Sequence, residues 1–214
     1  MYAAAGSDVW WAVVGTAMYC KPDCYFEDGP WRRQPGGGPI LINMIHEIGN
    51  LRALCGEIAA VQAVASQAIR EFPVEDTVAI TLRFENGVLG SFMLSDTVAS
   101  GRSWEQTSQE DESFAAYPDE DCYVVAGTDG SLAIPTMRLK TFRNGDERSW
   151  HKALRSEAVE IERADPLERQ LDNFCAVIRG VAEPVVTARD GLQNLRVIDA
   201  IRQAARSGAS VSLF

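Results

Sequence analysis

The sequence predicts an α+β fold: an open, largely antiparallel sheet with helices packed on one face. Three observations predict it. The first half and middle carry short β-branched or alternating stretches joined by Asn-Gly and Asp-Gly turns, the signature of hairpins. The last fifty or so residues instead carry two helical patterns with capping signals at both ends. A run of hairpin-linked strands followed by helices is an α+β arrangement.

Taken in order, Val9 to Val14 is rich in β-branched and aromatic residues and reads as a first strand. Cys20 to Gly38 is loop-like, broken by Lys21-Pro22-Asp23, Asp28-Gly29-Pro30 and Gly36-Gly37-Gly38. Pro39 stands where a first helical residue belongs, so Ile40 to Cys55 is a helix that stops at Gly56. Ala59 to Ala65, the alternating Thr77 to Phe84, and Val88 to Leu94 beyond the Asn86-Gly87 turn are strands. Cys122–Ala126, Leu132–Ile134 and Arg138–Phe142 follow around turns at Asp129-Gly130 and Asn144-Gly145. Asp165-Pro166 opens a helix to about Ile178, with Leu167, Leu171, Phe174, Cys175 and Ile178 on one stripe and Gly180 closing it. Thr187, with Asp190 three residues on, opens the last helix, which carries Leu192, Leu195, Ile198 and Ile201 to Gly208. Ser210 to Leu213 is a final short strand. We read residues 1–214 as one domain.

Composition bounds the function classes. The chain has 214 residues and a formal net charge of −10, with 46% hydrophobic residues, enough for a sizeable core. An acidic balance argues against a nucleic-acid partner, which needs a basic face to displace counterions. The apolar run Val9–Val14 is far short of the ~20 residues that span a bilayer, and no basic residue precedes Lys21 as a signal peptide would require. Five cysteines, an odd number, fit free buried thiols in a reducing compartment, so the expected location is the cytoplasm. Glu105 to Asp121 holds seven acidic residues and no basic one, and reads as a solvated loop or edge.

The helix from Ile40 to Cys55 is the segment that could carry chemistry. Its first turns are apolar nearly all round, yet Asn43, His46, Glu47 and Asn50 recur at helical spacing on one stripe. Polar groups on a buried helix must be paired or line a cavity. The stripe is therefore a ligand cleft with His46 as proton donor or acceptor, or it holds a satisfied structural histidine, or it simply faces solvent. Upstream, Arg32 and Arg33 beside Gly36-Gly37-Gly38 and a helix N-terminus could hold an anion, or the glycines simply make a tight helix entry. Gly36-x-Gly38 lacks the third glycine of a dinucleotide fingerprint, since Leu41 stands there. Cys20 and Cys24 form a lone C-x₃-C pair, poor evidence for zinc, and no metal ligand set is expected.

Several of these segments together resemble the C-terminal domain of the Gfo/Idh/MocA oxidoreductases. They are Trp31-Arg32, Gly36-Gly37-Gly38-Pro39-Ile40-Leu41-Ile42-Asn43-Met44-Ile45-His46, Leu54-Cys55-Gly56-Glu57 and Phe84-Glu85-Asn86-Gly87. Gly127-Thr128-Asp129-Gly130-Ser131-Leu132 and Pro184-Val185-Val186 with Asp190-Gly191-Leu192 continue the likeness, which runs from about Ser7 to Leu213. The resemblance implies a two-domain enzyme in which a Rossmann domain binds NAD or NADP and this domain supplies the substrate side and the oligomer interface. Typical substrates are sugars, polyols and related hydroxy compounds. The Rossmann half is absent from this sequence, and so is the family's catalytic lysine, which lies in a Glu-Lys-Pro motif of that half; Cys20-Lys21-Pro22 follows this domain's first strand and is a different segment.

The resemblance assigns His46 the acid–base or substrate-hydroxyl role, with Asn43, Lys21, Trp31 and Arg32 lining the substrate side. Many members carry Asp four residues before the histidine and three after it, where this chain has Ile42 and Gly49. The expected function is the substrate-binding and oligomerisation domain of an NAD(P)-dependent sugar or polyol dehydrogenase, either a piece of a longer chain or a shortened relative. The alternative is a non-catalytic module that binds a small polar ligand or only assembles. No cofactor is expected to bind this chain alone. The expected partners are a small polyhydroxylated molecule and a second copy of the chain, through the sheet.

Overall fold

A computed structural model describes residues 10–143 and 148–213. The Asn144-Gly145 turn and Val9 lie outside the described residues. The strands are β1 (Trp10–Met18), β2 (Ile58–Ser66), β3 (Thr77–Phe84), β4 (Leu89–Ser95), β5 (Tyr123–Gly127), β6 (Gly130–Ile134), β7 (Arg138–Thr141), β8 (Arg155–Ala158) and β9 (Val211–Ser212). They form one nine-stranded sheet in the order β8-β7-β6-β5-β1-β4-β3-β2-β9. Every neighbouring pair is antiparallel except β1 and β4, which run parallel at its centre. The α+β class expected from the sequence is the observed one.

The longer helices are α2 (Ile45–Cys55), α4 (Pro166–Ile178) and α5 (Ala188–Ser207), with short α1 (Asp23–Glu27) and α3 (Trp104–Thr107) in the connections. The Thr187 hydroxyl and the Asp190 carboxylate form the reciprocal capping box that starts α5, and Gly208 ends it in a left-handed conformation, φ +69°. Alternation sets the faces of the sheet. In β3, Val78, Ile80, Leu82 and Phe84 are buried, and their cross-strand partners Phe92 and Leu94 of β4 share that face. Ile48 and Leu51 of α2 and Ile198 and Ile201 of α5 pack over it to close the core. Arg52 of α2 fastens the two helices together by donating to Asn194 Oδ1 at 2.7 Å and to the carbonyl of Asp190 at 3.1 Å.

The structure refines the sequence reading in three places. Ile40–Met44 is a π-helical turn rather than the first turn of α2, so the helix is wider where it enters. The apolar stripe of α4 does not join the helix layer: Leu167, Leu171, Phe174 and Ile178 are all exposed, and α4 makes little contact with any other element. Finally, the acidic stretch is exposed over residues 109–120 as expected, but its first residues are not a solvated loop: Thr107 and Ser108 are buried, and the hydroxyl of the preceding buried Ser103 caps α3 by accepting from the Gln106 amide. Among the described residues no helix is long and apolar enough to cross a membrane.

Candidate functional site

The parallel pair β1 and β4 ends at the same edge of the sheet, and the chain leaving each strand delivers a charged side chain there. Lys21 follows β1 and Asp96 follows β4; the backbone ties them, with Lys21 N–H donating to the Asp96 carbonyl at 2.9 Å. Arg70, from the loop before β3, locks both: its Nε donates to Asp96 Oδ1 at 2.9 Å and its Nη2 to the Lys21 carbonyl at 2.8 Å. The Asp96 side chain is only 3% exposed, and burial pushes its pKa up against the opposing pull of Arg70 and Lys21.

The π-helical turn brings Asn43 to this edge. Asn43 Oδ1 accepts a 2.7 Å hydrogen bond from Lys21 Nζ, which also lies 3.5 Å from the Tyr25 hydroxyl and 4.5 Å from the centre of its ring. The Lys21 side chain is 11% exposed, and burial lowers its pKa to about 8, only partly countered by Asp96 and Glu105. The Arg32 guanidinium lies over the same ring, 4.0 Å from the Tyr25 ring centre, and donates to the Tyr25 carbonyl. Trp31 is exposed beside it, 5.7 Å from the Arg32 guanidinium.

Lys21 and Arg32 meet at the Tyr25 ring, with Asn43 bonded to Lys21 and Trp31 exposed beside Arg32. His46 is not part of that hydrogen-bonded group. Its side chain is exposed and has no hydrogen-bond partner among the described residues. The polar stripe read from helical spacing is divided: Asn43 faces Lys21, His46 faces outward, and Glu47 is buried, accepting from the Tyr123 hydroxyl. Asn50 Nδ2 donates to the same hydroxyl at 3.4 Å. Burial, with the nearby Glu105 charge, raises Glu47 to about 8.

Two other sequence-based alternatives are decided by local geometry. The helix N-terminus after the glycines is already filled: the Ile40 amide donates to Glu75 Oε1 at 2.9 Å. A side chain on Gly38, at φ +83°, would meet that carboxylate at 2.6 Å. Arg33 lies over Phe72 at 6.0 Å while Arg32 turns to Tyr25, so the two arginines do not converge on an anion. Cys20 and Cys24 are exposed free thiols, against the expectation of burial, while Cys55 and Cys122 are buried. Among the described residues no group of three His, Cys, Asp or Glu is placed to hold a metal.

Sequence reasoning missed Tyr19, Tyr25, Arg70, Asp96 and Glu105. Tyr19 and Tyr25 flank Lys21 in sequence and were within reach of a local reading; Arg70, Asp96 and Glu105 arrive through sheet topology alone.

The model of the oxidoreductase family's C-terminal alpha/beta domain, the Gfo/Idh/MocA type, matches residues 16–213. The chain belongs to this family. Similar solved structures are levoglucosan dehydrogenase in complex with NADH and levoglucosan, at 20% identity and TM-score 0.70, covering 96% of this chain and 59% of that one. Aldose-aldose oxidoreductase from Caulobacter crescentus, complexed with glycerol, is 24% identical with TM-score 0.68, covering 95% and 55%. The WlbA dehydrogenase from Bordetella pertussis, with NADH and UDP-GlcNAcA, is 22% identical with TM-score 0.65, again covering 95% and 55%. At these identities the likeness is one of fold. This family domain spans a little over half the length of the solved structures it matches. A comparison with curated protein sequences gives no match.

Proposed function

We propose that this chain is the substrate-binding and oligomerisation half of an NAD(P)-dependent sugar or polyol dehydrogenase that works in the cytoplasm. The observation that carries the reading is the Lys21–Asn43 pair at the end of the parallel β1/β4 strands, with Arg32, Trp31 and Tyr25 around it. Amide, ammonium, guanidinium and aromatic faces in one corner are the groups that recognise a polyhydroxylated molecule. Family membership supports the oxidoreductase class. The exposed apolar stripe of α4 is the kind of surface that a second, nucleotide-binding domain would cover.

The cofactor belongs to that other half, where NAD or NADP would supply the hydride chemistry. The Gly36–Gly38 turn of this chain offers no seat for it, since Glu75 caps the helix that follows. The isolated chain should therefore bind neither NAD(H) nor NADP(H). Calorimetric titration is expected to give no dissociation constant below about 100 μM, roughly −5.5 kcal/mol; tighter binding would place a nucleotide site in this domain and overturn the division of labour.

His46 is the proposed contact to a substrate hydroxyl and an acid–base residue; its side chain is exposed. In a form joined to a nucleotide-binding domain, His46→Ala should cut turnover about 10²–10⁴-fold and leave the melting temperature nearly unchanged, because the side chain makes no hydrogen bond among the described residues. A destabilised but fully active variant would remove His46 from the site and favour the alternative of a non-catalytic binding or assembly module.

A further inference from the structure

Lys21 and Asp96 carry opposite charges on largely buried side chains, yet they do not close on each other. Asp96 Oδ2 stands 4.0 Å from Lys21 Nζ, beyond hydrogen-bonding reach. Opposite charges attract more strongly in a shielded corner than in water, so the open gap needs a cause.

Arg70 supplies it. Its Nε donates to Asp96 Oδ1 at 2.9 Å, and its Nη2 donates to the carbonyls of Asp96 at 2.6 Å and of Lys21 at 2.8 Å. One planar guanidinium thus holds the Asp96 carboxylate and the backbone on both sides of the gap. It also lies over the buried Phe26 ring, 4.4 Å from the centre. The root of the side chain is fixed as well. Buried Asp76 accepts from the Arg70 amide at 3.0 Å and from the Ile69 amide at 2.9 Å, and its carbonyl accepts from the Asp96 amide at 3.1 Å.

The gap leaves hydrogen-bonding capacity on both sides. An ammonium has three N–H donors. Asn43 takes one from Lys21 at 2.7 Å, and the Tyr25 hydroxyl, at 3.5 Å, is a long second. No hydrogen bond reaches Asp96 Oδ2 among the described residues. A donor and an acceptor this far apart suit a single hydroxyl, whose oxygen accepts from the ammonium while its proton goes to the carboxylate.

We propose that Arg70 is a positioning residue: it holds Asp96 off Lys21 and keeps that pair open for one hydroxyl of the substrate, which accepts from Lys21 and donates to Asp96. This rests on the dehydrogenase reading above. Lys21 and Asp96 bind and orient the hydroxyl in this role, and no covalent bond is made or broken at either.

The titration of Lys21 reports whether Asp96 is held back. Burial lowers Lys21 to about 8; Arg70 and Arg32 push the same way, while Asp96 and Glu105 oppose them. Tyr19 and Tyr25, whose rings also face the ammonium, stay neutral because burial raises both. Loss of Arg70 removes a repulsion and frees Asp96 to close on Lys21, so both changes raise the Lys21 pKa.

The chain holds three lysines, and Lys140 and Lys152 are exposed, so they serve as internal references. Trace acetylation of the chain with acetic anhydride from pH 6.5 to 11, read by peptide mass spectrometry, should give half-maximal reactivity at about 8 for Lys21 and about 10.4 for the other two. Arg70→Gln should move Lys21 up by about 1 pH unit or more. Adding Asp96→Asn to Arg70→Gln should bring it back to about 8 or below, since no carboxylate is then left to close. If Arg70→Gln merely opened the corner to water, Lys21 would take the ordinary value in both variants. That result, or a Lys21 unmoved by Arg70→Gln, overturns the proposal. In the form joined to a nucleotide-binding domain, Arg70→Gln should raise KM for the sugar or polyol about 10–100-fold with kcat little changed. If the unmodified joined form oxidises no sugar or polyol, the dehydrogenase reading falls, and the titrations alone decide whether Arg70 holds the pair open. If it does oxidise one, and Arg70→Gln keeps its KM although Lys21 has moved up, that reading stands and the open pair as the hydroxyl site is refuted.

Discussion

Replacing Glu47 by Gln is expected to make the protein more stable than the wild type above pH 8, and no more stable at pH 4. The carboxyl of Glu47 is buried under the Tyr123 hydroxyl with Glu105 as its charged neighbour, and its pKa rises from the ordinary 4.5 to about 8. An unfolded chain titrates Glu47 at the ordinary value, so between the two pH values the folded state holds a proton that the unfolded state has lost. Stability from this group is therefore full below about pH 4.5 and declines as pH rises through about 8, at roughly 1.4 kcal/mol per pH unit while the difference lasts. Gln carries no such proton and still accepts the Tyr123 hydrogen bond through its carbonyl oxygen. The stability of Glu47→Gln minus that of the wild type should grow by a few kcal/mol between pH 5 and pH 8.5, measured by urea unfolding at fixed protein concentration. A difference that stays constant over that range would mean that Glu47 is ionised in the fold. A variant less stable at every pH would mean that Tyr123 needs the carboxyl group itself.

Glu47 also marks where sequence reading reaches its limit. The alternation of Thr77 to Phe84 gave β3 with its observed ends, and the Thr187/Asp190 pair gave the start of α5, because both signals are local and dictated by backbone hydrogen bonding. The polar stripe on the second helix is local too, but spacing does not say what each residue meets. Asn43 lies in the π-helical turn and bonds Lys21, while within the regular helix α2 Glu47 and Asn50 meet the Tyr123 hydroxyl and His46 is exposed. Strand β8 was missed because Arg155–Ala158 has no buried side chain and is held at the sheet edge by its pairing with β7 alone. Lys21 is named by the family resemblance, whereas its surroundings are not legible in the sequence. Arg70, Asp96 and Glu105 reach it only because β1 and β4 pair in parallel, a contact between segments far apart in the chain that no local pattern encodes.

The chain should form a two-fold dimer through the face of the sheet that the helices leave bare. The apolar residues of β4 divide by alternation: Phe92 and Leu94 enter the core, while Leu89 and Met93 face the other way. Register extends that second face across the sheet, through Val14 of β1, Ala79 of β3, Val64 of β2 and Val124 of β5. Val64 is 71% exposed, Leu89 59% and Val14 53%, with Thr16, Thr81 and Ser91 between them and Arg83, Arg138 and Lys140 towards the ends. An apolar field of this extent, small and uncharged at the centre, is rare on a soluble monomer. A second copy of the same face would cover it with matching chemistry, and a two-fold arrangement would close without leaving an edge to propagate. Light scattering at micromolar concentration should return twice the 23.4 kDa of one chain. Val14→Lys would bring two ammonium groups together at the centre of the interface while leaving each monomer's core untouched, so it should give monomers with an unchanged circular-dichroism spectrum. Leu171→Lys, on the equally exposed stripe of α4, should leave the dimer intact and so separates this face from that one. A wild-type monomer, or a Val14→Lys dimer, would refute the assignment of the bare sheet as the surface through which two copies meet.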